Sequence, residues 1–251
     1  MQIDALAQLM AMHPEVDVLS QALSRKRNRH FLLSGLYAST QALILTALRH
    51  QLAIKGLAQP MMIVIDDHDA AQYMFADIKT LIDERDVYFF PCTHRRRQKT
   101  DEALTLQRTE VLTALIGTKC LQSIIVTTPE ALVESVPNPQ VLEKNKISLS
   151  VGQELPISKL SEMLLNLDFK RVDFVYEPGQ FAVRGGIVDV YSYAHDIPFR
   201  IDFFGDEIDS IREFELETQL SQNKVDTIDI VSANSDNSNE TLIIDYLPQN
   251  T

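Results

Sequence analysis

Tyr176–Gln219, YEPGQFAVRGGIVDVYSYAHDIPFRIDFFGDEIDSIREFELETQ, reads as a compact β-module. Phe181–Arg184 alternates apolar and polar residues, and Gly185-Gly186 breaks the alternation where a bulge or tight turn fits. Ile187–Tyr191 then resumes as an apolar strand. Phe199–Phe204 and Glu207–Phe214 flank Gly205-Asp206, the pattern of a two-residue hairpin in which glycine supplies a positive φ. In a regular hairpin of that kind Asp202 stands opposite Asp209 and Arg200 opposite Ile211, on one face with Phe204. Like charges facing each other across a ladder destabilise it, so Arg200 and Arg184 are the cations expected to neutralise that face.

The order of residues in this stretch closely resembles the inserted domain shared by UvrB and the transcription-repair coupling factors (Mfd). Glycine and charge positions recur through the whole stretch, which makes the resemblance far more specific than a short motif. In that family the insert is the surface that docks the damage sensor UvrA. The resemblance implies a partner-binding role for Arg171, Arg184, Arg200 and Asp202, with Phe181 as a neighbouring aromatic contact. Ala182 departs from the pattern, standing where UvrB has a further arginine. On this reading, charge reversal at Arg184 or Arg200 abolishes UvrA binding and leaves the melting temperature nearly unchanged, provided those side chains are exposed.

Upstream, His30–Ser34 reads as a strand. Gly35-Leu-Tyr-Ala-Ser-Thr40-Gln41-Ala42 follows, and then an apolar helical run, Leu43–Leu52. This is the place and spacing of a P-loop, G-x-x-x-x-G-K-[ST], between a strand and a helix. Thr40 stands for the second glycine, Gln41 for the lysine and Ala42 for the hydroxyl residue. The lysine holds the β/γ-phosphates and the hydroxyl holds Mg²⁺. Gly35, Thr40, Gln41 and Ala42 therefore read as a degenerate P-loop that does not bind nucleotide; the local alternative is a glycine ending a strand before an ordinary helix. UvrB keeps a working P-loop and the corresponding module of the coupling factors does not, so the loss directs the resemblance to the latter.

UvrB also carries an aromatic-rich hairpin for DNA strands after its third strand. No Tyr or Phe occurs here between Phe90 and Phe169, so this chain lacks the stacking platform that single-stranded DNA binding needs. The resemblance implies an N-terminal fragment of a larger ATP-dependent DNA translocase. In the whole protein, RNA polymerase and double-stranded DNA are the further partners, with ATP and Mg²⁺ confined to the motor. For the fragment itself the expectation is no catalytic residue, no cofactor and no metal.

Composition is consistent with that reading. At 251 residues, 45% hydrophobic and 23% charged, the chain can bury a sizeable core and is long enough for two domains. No apolar run reaches the ~18 residues of a membrane helix, which together with the family resemblance implies a cytoplasmic protein and no membrane partner. The net charge of −12 argues against a broad nucleic-acid surface. The exception is the basic run His94-Arg95-Arg96-Arg97-Gln98-Lys99, which reads either as a solvated loop or as a contact to an acidic surface. Cys92 and Cys120 fit no disulfide or metal framework and read as free thiols. The six histidines are scattered without ligand spacing.

Strands Met61–Ile65, Val87–Phe90 and Ser123–Thr127 alternate with helices over 68–82, 101–116 and 129–133. The strands are continuous apolar runs, as in a parallel sheet covered on both faces. The predicted fold is α/β: a degenerate P-loop, RecA/helicase-like parallel-sheet domain over 1–146, with a smaller α+β insert over 147–224. Residues 225–251 are expected to return into the first domain. Three functions fit this organisation: a UvrA-docking module without catalysis, an active ATP-binding UvrB/helicase-type domain, or an unrelated structural α/β protein. Ile65-Asp66-Asp67 superficially resembles an acidic nucleotide motif, but its place at a helix start makes the carboxylates caps.

Overall fold

Three short strands, β1 (Met61–Val64), β2 (Val87–Phe90) and β3 (Ile124–Thr127), form a parallel sheet in the order β1-β3-β2. They belong to a computed structural model that describes residues 9–25, 30–82, 86–93, 102–117, 120–233 and 240–248. The central strand β3 is buried along its whole length, which is why its sequence is an unbroken apolar run. Backbone contacts divide the chain into two units. The first comprises residues up to Cys92, Gly117–Glu134 and the stretch from Leu247 onward.

In the first unit the helices follow from caps and apolar spacing. Helix α1 (Pro14–Ser24) has its N-cap at His13, helix α2 spans Thr40–Ile54, and helix α3 (His68–Leu81) is capped by Asp67, whose carboxylate accepts from Ala70 N–H at 2.9 Å. Asp67 is thus a helix cap, as its position suggests. Ala42 of α2 and Ala71, Met74 and Ile78 of α3 pack with Ile63, Val87, Phe89, Ile124 and Val126 of the sheet. Residues 30–34 form no strand, and Leu32 is 92% exposed. A strand exists only through the ladder it makes, and this stretch makes none. The strand–loop–helix context expected for residues 30–52 is therefore present only in its helix.

The second unit comprises Thr93–Ile116 and Ser135–Tyr246. Helix α4 (Glu102–Ile116) belongs to it, although βα alternation suggested a place beside the parallel sheet. Its Arg108 donates to the Ser135 carbonyl at 3.3 Å. The short helix α5 (Pro129–Leu132) lies in the first unit; Thr128 occupies its N-cap position without capping through the side chain. Strand β4 (Val136–Pro137), helix α6 (Pro139–Lys144) and strand β5 (Lys146–Ser150) then open the second unit.

Six further strands form one sheet in strict chain order: β6 (Lys170–Arg171), β7 (Gln180–Arg184), β8 (Ile187–Tyr191), β9 (Phe199–Phe204), β10 (Glu207–Phe214) and β11 (Ser221–Val225). All neighbours are antiparallel except β6 and β7. Gly185 and Gly205, both at positive φ, close the two-residue turns of β7–β8 and β9–β10. Helix α7 (Ile157–Asn166) covers one face, burying Leu160 and Leu164 against Val188, Val190, Phe199, Ile201, Ile208 and Ile211. Truncating either leucine to alanine costs about 2–5 kcal/mol, the range for a filled core site.

Strand β12 (Thr227–Val231) pairs antiparallel with β5 and adds Ile228 and Ile230 to the same core as Ile147 and Leu149. The sequence reading sends residues 225–251 back to the first domain, whereas this ladder keeps β12 with the second unit. Strand β13 (Glu240–Thr241) pairs with β4, and Tyr246 donates to the Pro137 carbonyl at 2.5 Å. These last elements also belong to the second unit.

Candidate partner-docking face

Strand alternation sends Phe181, Val183, Val188, Val190, Phe199 and Ile201 to the helix-covered face. Ala182, Arg184, Asp189, Arg200 and Asp202 take the other. The ladder aligns Ala182, Asp189, Arg200 and Arg212 across four strands. The neighbouring row is Arg184, Ile187, Asp202 and Ser210. Two aspartates and three arginines thus interleave on one sheet face.

Asp189 is the centre of this array, with its side chain only 1% exposed. Arg200 donates to it twice, from Nε at 2.8 Å and Nη2 at 3.0 Å, and Arg184 donates from Nη2. A buried carboxylate is costly unless paired and hydrogen-bonded, and two guanidinium groups meet that need. Asp202 accepts from Ser210 Oγ at 3.0 Å and from Arg212. The Arg200 guanidinium also lies 4.8 Å from the ring of Phe214 and donates to the Gln219 carbonyl at 3.1 Å. Hydrogen bonding to Asp189 holds its pKa above the ordinary value against the opposing effect of burial. Arg184 lies 5.0 Å from the ring of Phe174, a cation–π contact on the rim of the face.

An apolar patch borders the charges: Val175, Ala182, Tyr191 and Phe214 pack together. Tyr191 donates its hydroxyl to the Asp196 carbonyl at 2.7 Å. Burial, with the Asp196 and Glu110 carboxylates, pushes its pKa up to about 12.

Three expectations about this face need correction. The hairpin β9–β10 is not regular: its register shifts between Ile208 and Ser210, so Asp202 faces Ser210 and Arg200 faces Arg212. A bulge at Asp209 inserts one unpaired residue, and the exposed Asp209 never meets Asp202. Phe181 is 0% exposed, packed in the core beneath the sheet, and cannot touch a partner. Arg200, at 15% side-chain exposure, is too deeply embedded for charge reversal to be structurally silent. Arg184, at 37%, remains reachable, and Arg171 is exposed on β6 outside the ion-pair array.

Asp189 and Arg212 were missed by sequence reasoning. A signal existed for the first: one carboxylate inside Ile187–Tyr191, IVDVY, at the parity that faces Arg200. Arg212 was hidden by the bulge, which moves it onto the charged face.

The residues read in the sequence as a degenerate P-loop follow no strand, and helix α2 begins at Thr40. Gly35 has a positive φ, Thr40 N–H bonds the Tyr37 carbonyl at 3.1 Å, and Gln41 is exposed. Ala42, at the hydroxyl position, is buried in the helix–sheet core. Among the described residues no group of three or more His, Cys, Asp or Glu is placed to hold a metal ion, and no helix is long and apolar enough to cross a membrane. Cys92 and Cys120 are free thiols; Cys92 donates to the buried Glu134 at 2.9 Å, and burial raises the Cys120 pKa. The basic run 94–99 lies outside the described residues.

Residues 147–235 match the family model of the UvrB interaction domain. That span begins at β5 and includes β12, so it follows the ladder seen in the structure. Over 202 residues the chain is 28% identical to a transcription-repair-coupling factor of Bacillus subtilis, covering 79% of this chain and 17% of that protein. It is 27% identical over 209 residues to a protein of the same name from Staphylococcus haemolyticus, covering 82% and 17%. A Staphylococcus aureus relative of that name is 27% identical over 178 residues, covering 70% and 15%. The chain therefore spans less than a fifth of the length of the curated relatives it matches. The six-stranded sheet and its covering helix match the UvrB interaction domain family, and the chain that carries them is similar to the transcription-repair-coupling factors over most of its length.

Proposed function

We propose that this chain is the UvrB-homology portion of a transcription-repair coupling factor and that its second unit recruits UvrA for nucleotide excision repair. The observation that carries the proposal is the Arg184–Asp189–Arg200 array with Asp202 and Arg212, solvent-facing at Arg184, within the span that matches the UvrB interaction domain. Interleaved charges on a rigid sheet give orientation-specific recognition, because a partner must present the inverse pattern in register. Arg171 on the sheet edge pairs with Phe181 and takes the parity of the opposite face, so it stands apart from the charged array.

The first unit, on this proposal, is a RecA/helicase-like P-loop domain that has lost nucleotide binding. The chain then has no catalytic role of its own. The whole protein acts as a cytoplasmic ATP-dependent DNA translocase, with RNA polymerase and double-stranded DNA as partners and ATP and Mg²⁺ in its motor. Equilibrium binding of purified UvrA to the immobilised chain tests the docking role. Saturable binding that is lost on Arg184→Glu supports it, and absence of binding by the unaltered chain refutes it.

A further inference from the structure

We propose that Phe204, at the tip of the β9–β10 hairpin, is the apolar anchor of the docking face and inserts into a pocket on UvrA rimmed by basic side chains. The proposal rests on the UvrA-docking reading. Phe204 is 83% exposed, although a phenylalanine ring gains most by burial. It shares the parity of Arg200 and Asp202 on β9, so the strand that carries the charged array ends in this ring.

The tip is held rigidly. Leu155 N–H bonds the Asp206 carbonyl at 2.7 Å, Ile208 N–H bonds the Gln153 carbonyl at 3.0 Å, and Gly152 N–H bonds the Ile208 carbonyl at 2.8 Å. Residues 152–155 therefore lace the turn to the body of the module, and little entropy is lost when the ring is buried by a partner. An exposed ring on an ordered tip, on the sheet face that carries the arginines further along the strands, has the composition of an interface hot spot.

Charge selects the kind of pocket. Glu154, Asp206, Glu207 and Asp209 are all exposed around the tip, and Glu154 pairs with Glu207 in an isolated bridge. The docking face therefore has two poles: a centre of three arginines and two aspartates, and an aromatic tip ringed by carboxylates. Nucleic acid is repelled by such a tip. A protein pocket with Lys or Arg on its rim accepts both the ring and the carboxylates.

The test uses the full chain and purified UvrA. The chain contains no tryptophan, so Phe204→Trp introduces a single indole whose emission reports burial, with UvrA's own signal subtracted using the unaltered chain. The expected results are a blue shift on saturation with UvrA and a loss of affinity of about tenfold or more for Phe204→Ala at unchanged melting temperature. Wild-type affinity of Phe204→Ala, while Arg184→Glu abolishes binding, overturns the anchor and leaves the docking reading intact. So does an unshifted emission at saturation. Sedimentation of the chain alone that shows a Phe204-dependent dimer assigns the ring to self-association and also overturns the anchor. No binding by the unaltered chain removes both proposals.

Discussion

Asp189 and Arg200 face each other across β8 and β9, and the buried carboxylate takes two hydrogen bonds from the guanidinium. This pair decides which charges on the sheet are structural and which are available to a partner. Arg200 is committed to Asp189, Phe214 and the Gln219 carbonyl. Arg184 shares Asp189 from the solvent side.

Asp189→Asn leaves two guanidinium groups beside a buried neutral amide, Arg200 largely buried and Arg184 reaching solvent. Removing one partner of a buried ion pair costs about 3–5 kcal/mol. Urea denaturation of the variant is expected to show a loss of that order, with an unchanged m-value. A change within about 0.5 kcal/mol, the range of a surface substitution, contradicts the assigned burial.

Arg184→Glu and Arg200→Glu are expected to separate. At Arg200 the new carboxylate sits against buried Asp189, so the module is destabilised by several kcal/mol and docking is lost with the fold. At Arg184 the side chain can swing into solvent, so the melting temperature falls less while UvrA binding is still abolished. Circular dichroism melts beside binding isotherms check both. Equal melting temperatures for the two variants would falsify this division.

The first unit is expected not to bind ATP. On the proposed degenerate P-loop, position 41 would offer only a neutral amide to the phosphates, and the Ala42 methyl, buried in the core, would offer no ligand to Mg²⁺. A fluorescent ATP analogue with Mg²⁺ should give no saturable signal up to millimolar concentration. Micromolar saturable binding contradicts the expectation.

Tyr191 makes alkaline stability testable. Its pKa stands at about 12 in the fold, against about 10 for an unfolded tyrosine. The folded pKa is raised, so the contribution is whole below pH about 10, where both states are neutral. It is lost as pH rises towards 12, because the unfolded chain ionises first. At about 1.4 kcal/mol per pKa unit, that loss is about 2–3 kcal/mol. Comparing wild type with Tyr191→Phe at pH 9 and pH 11.5 isolates it. A wild-type excess loss near zero indicates that Tyr191 ionises freely.

The strands of the β-module, their glycine turns and the Asp67 cap were all legible in the sequence. Each is encoded by neighbouring residues: period-two alternation, a glycine at a positive φ, or a carboxylate before a helix. Tertiary structure alone decided the rest. The bulge at Asp209 moved Arg212 onto the charged face and separated Asp202 from Asp209, because register depends on how β10 lies against β9 and residues 152–155. Phe181 went inward because helix α7 covers its face of the sheet, and alternation by itself does not say which face will be covered. His30–Ser34 has strand-like residues without a ladder, while β12 found its partner in β5, 81 residues away at the Ser148–Asp229 pair. Local pattern sets what a segment can form; pairing and burial are set by chain brought from a distance.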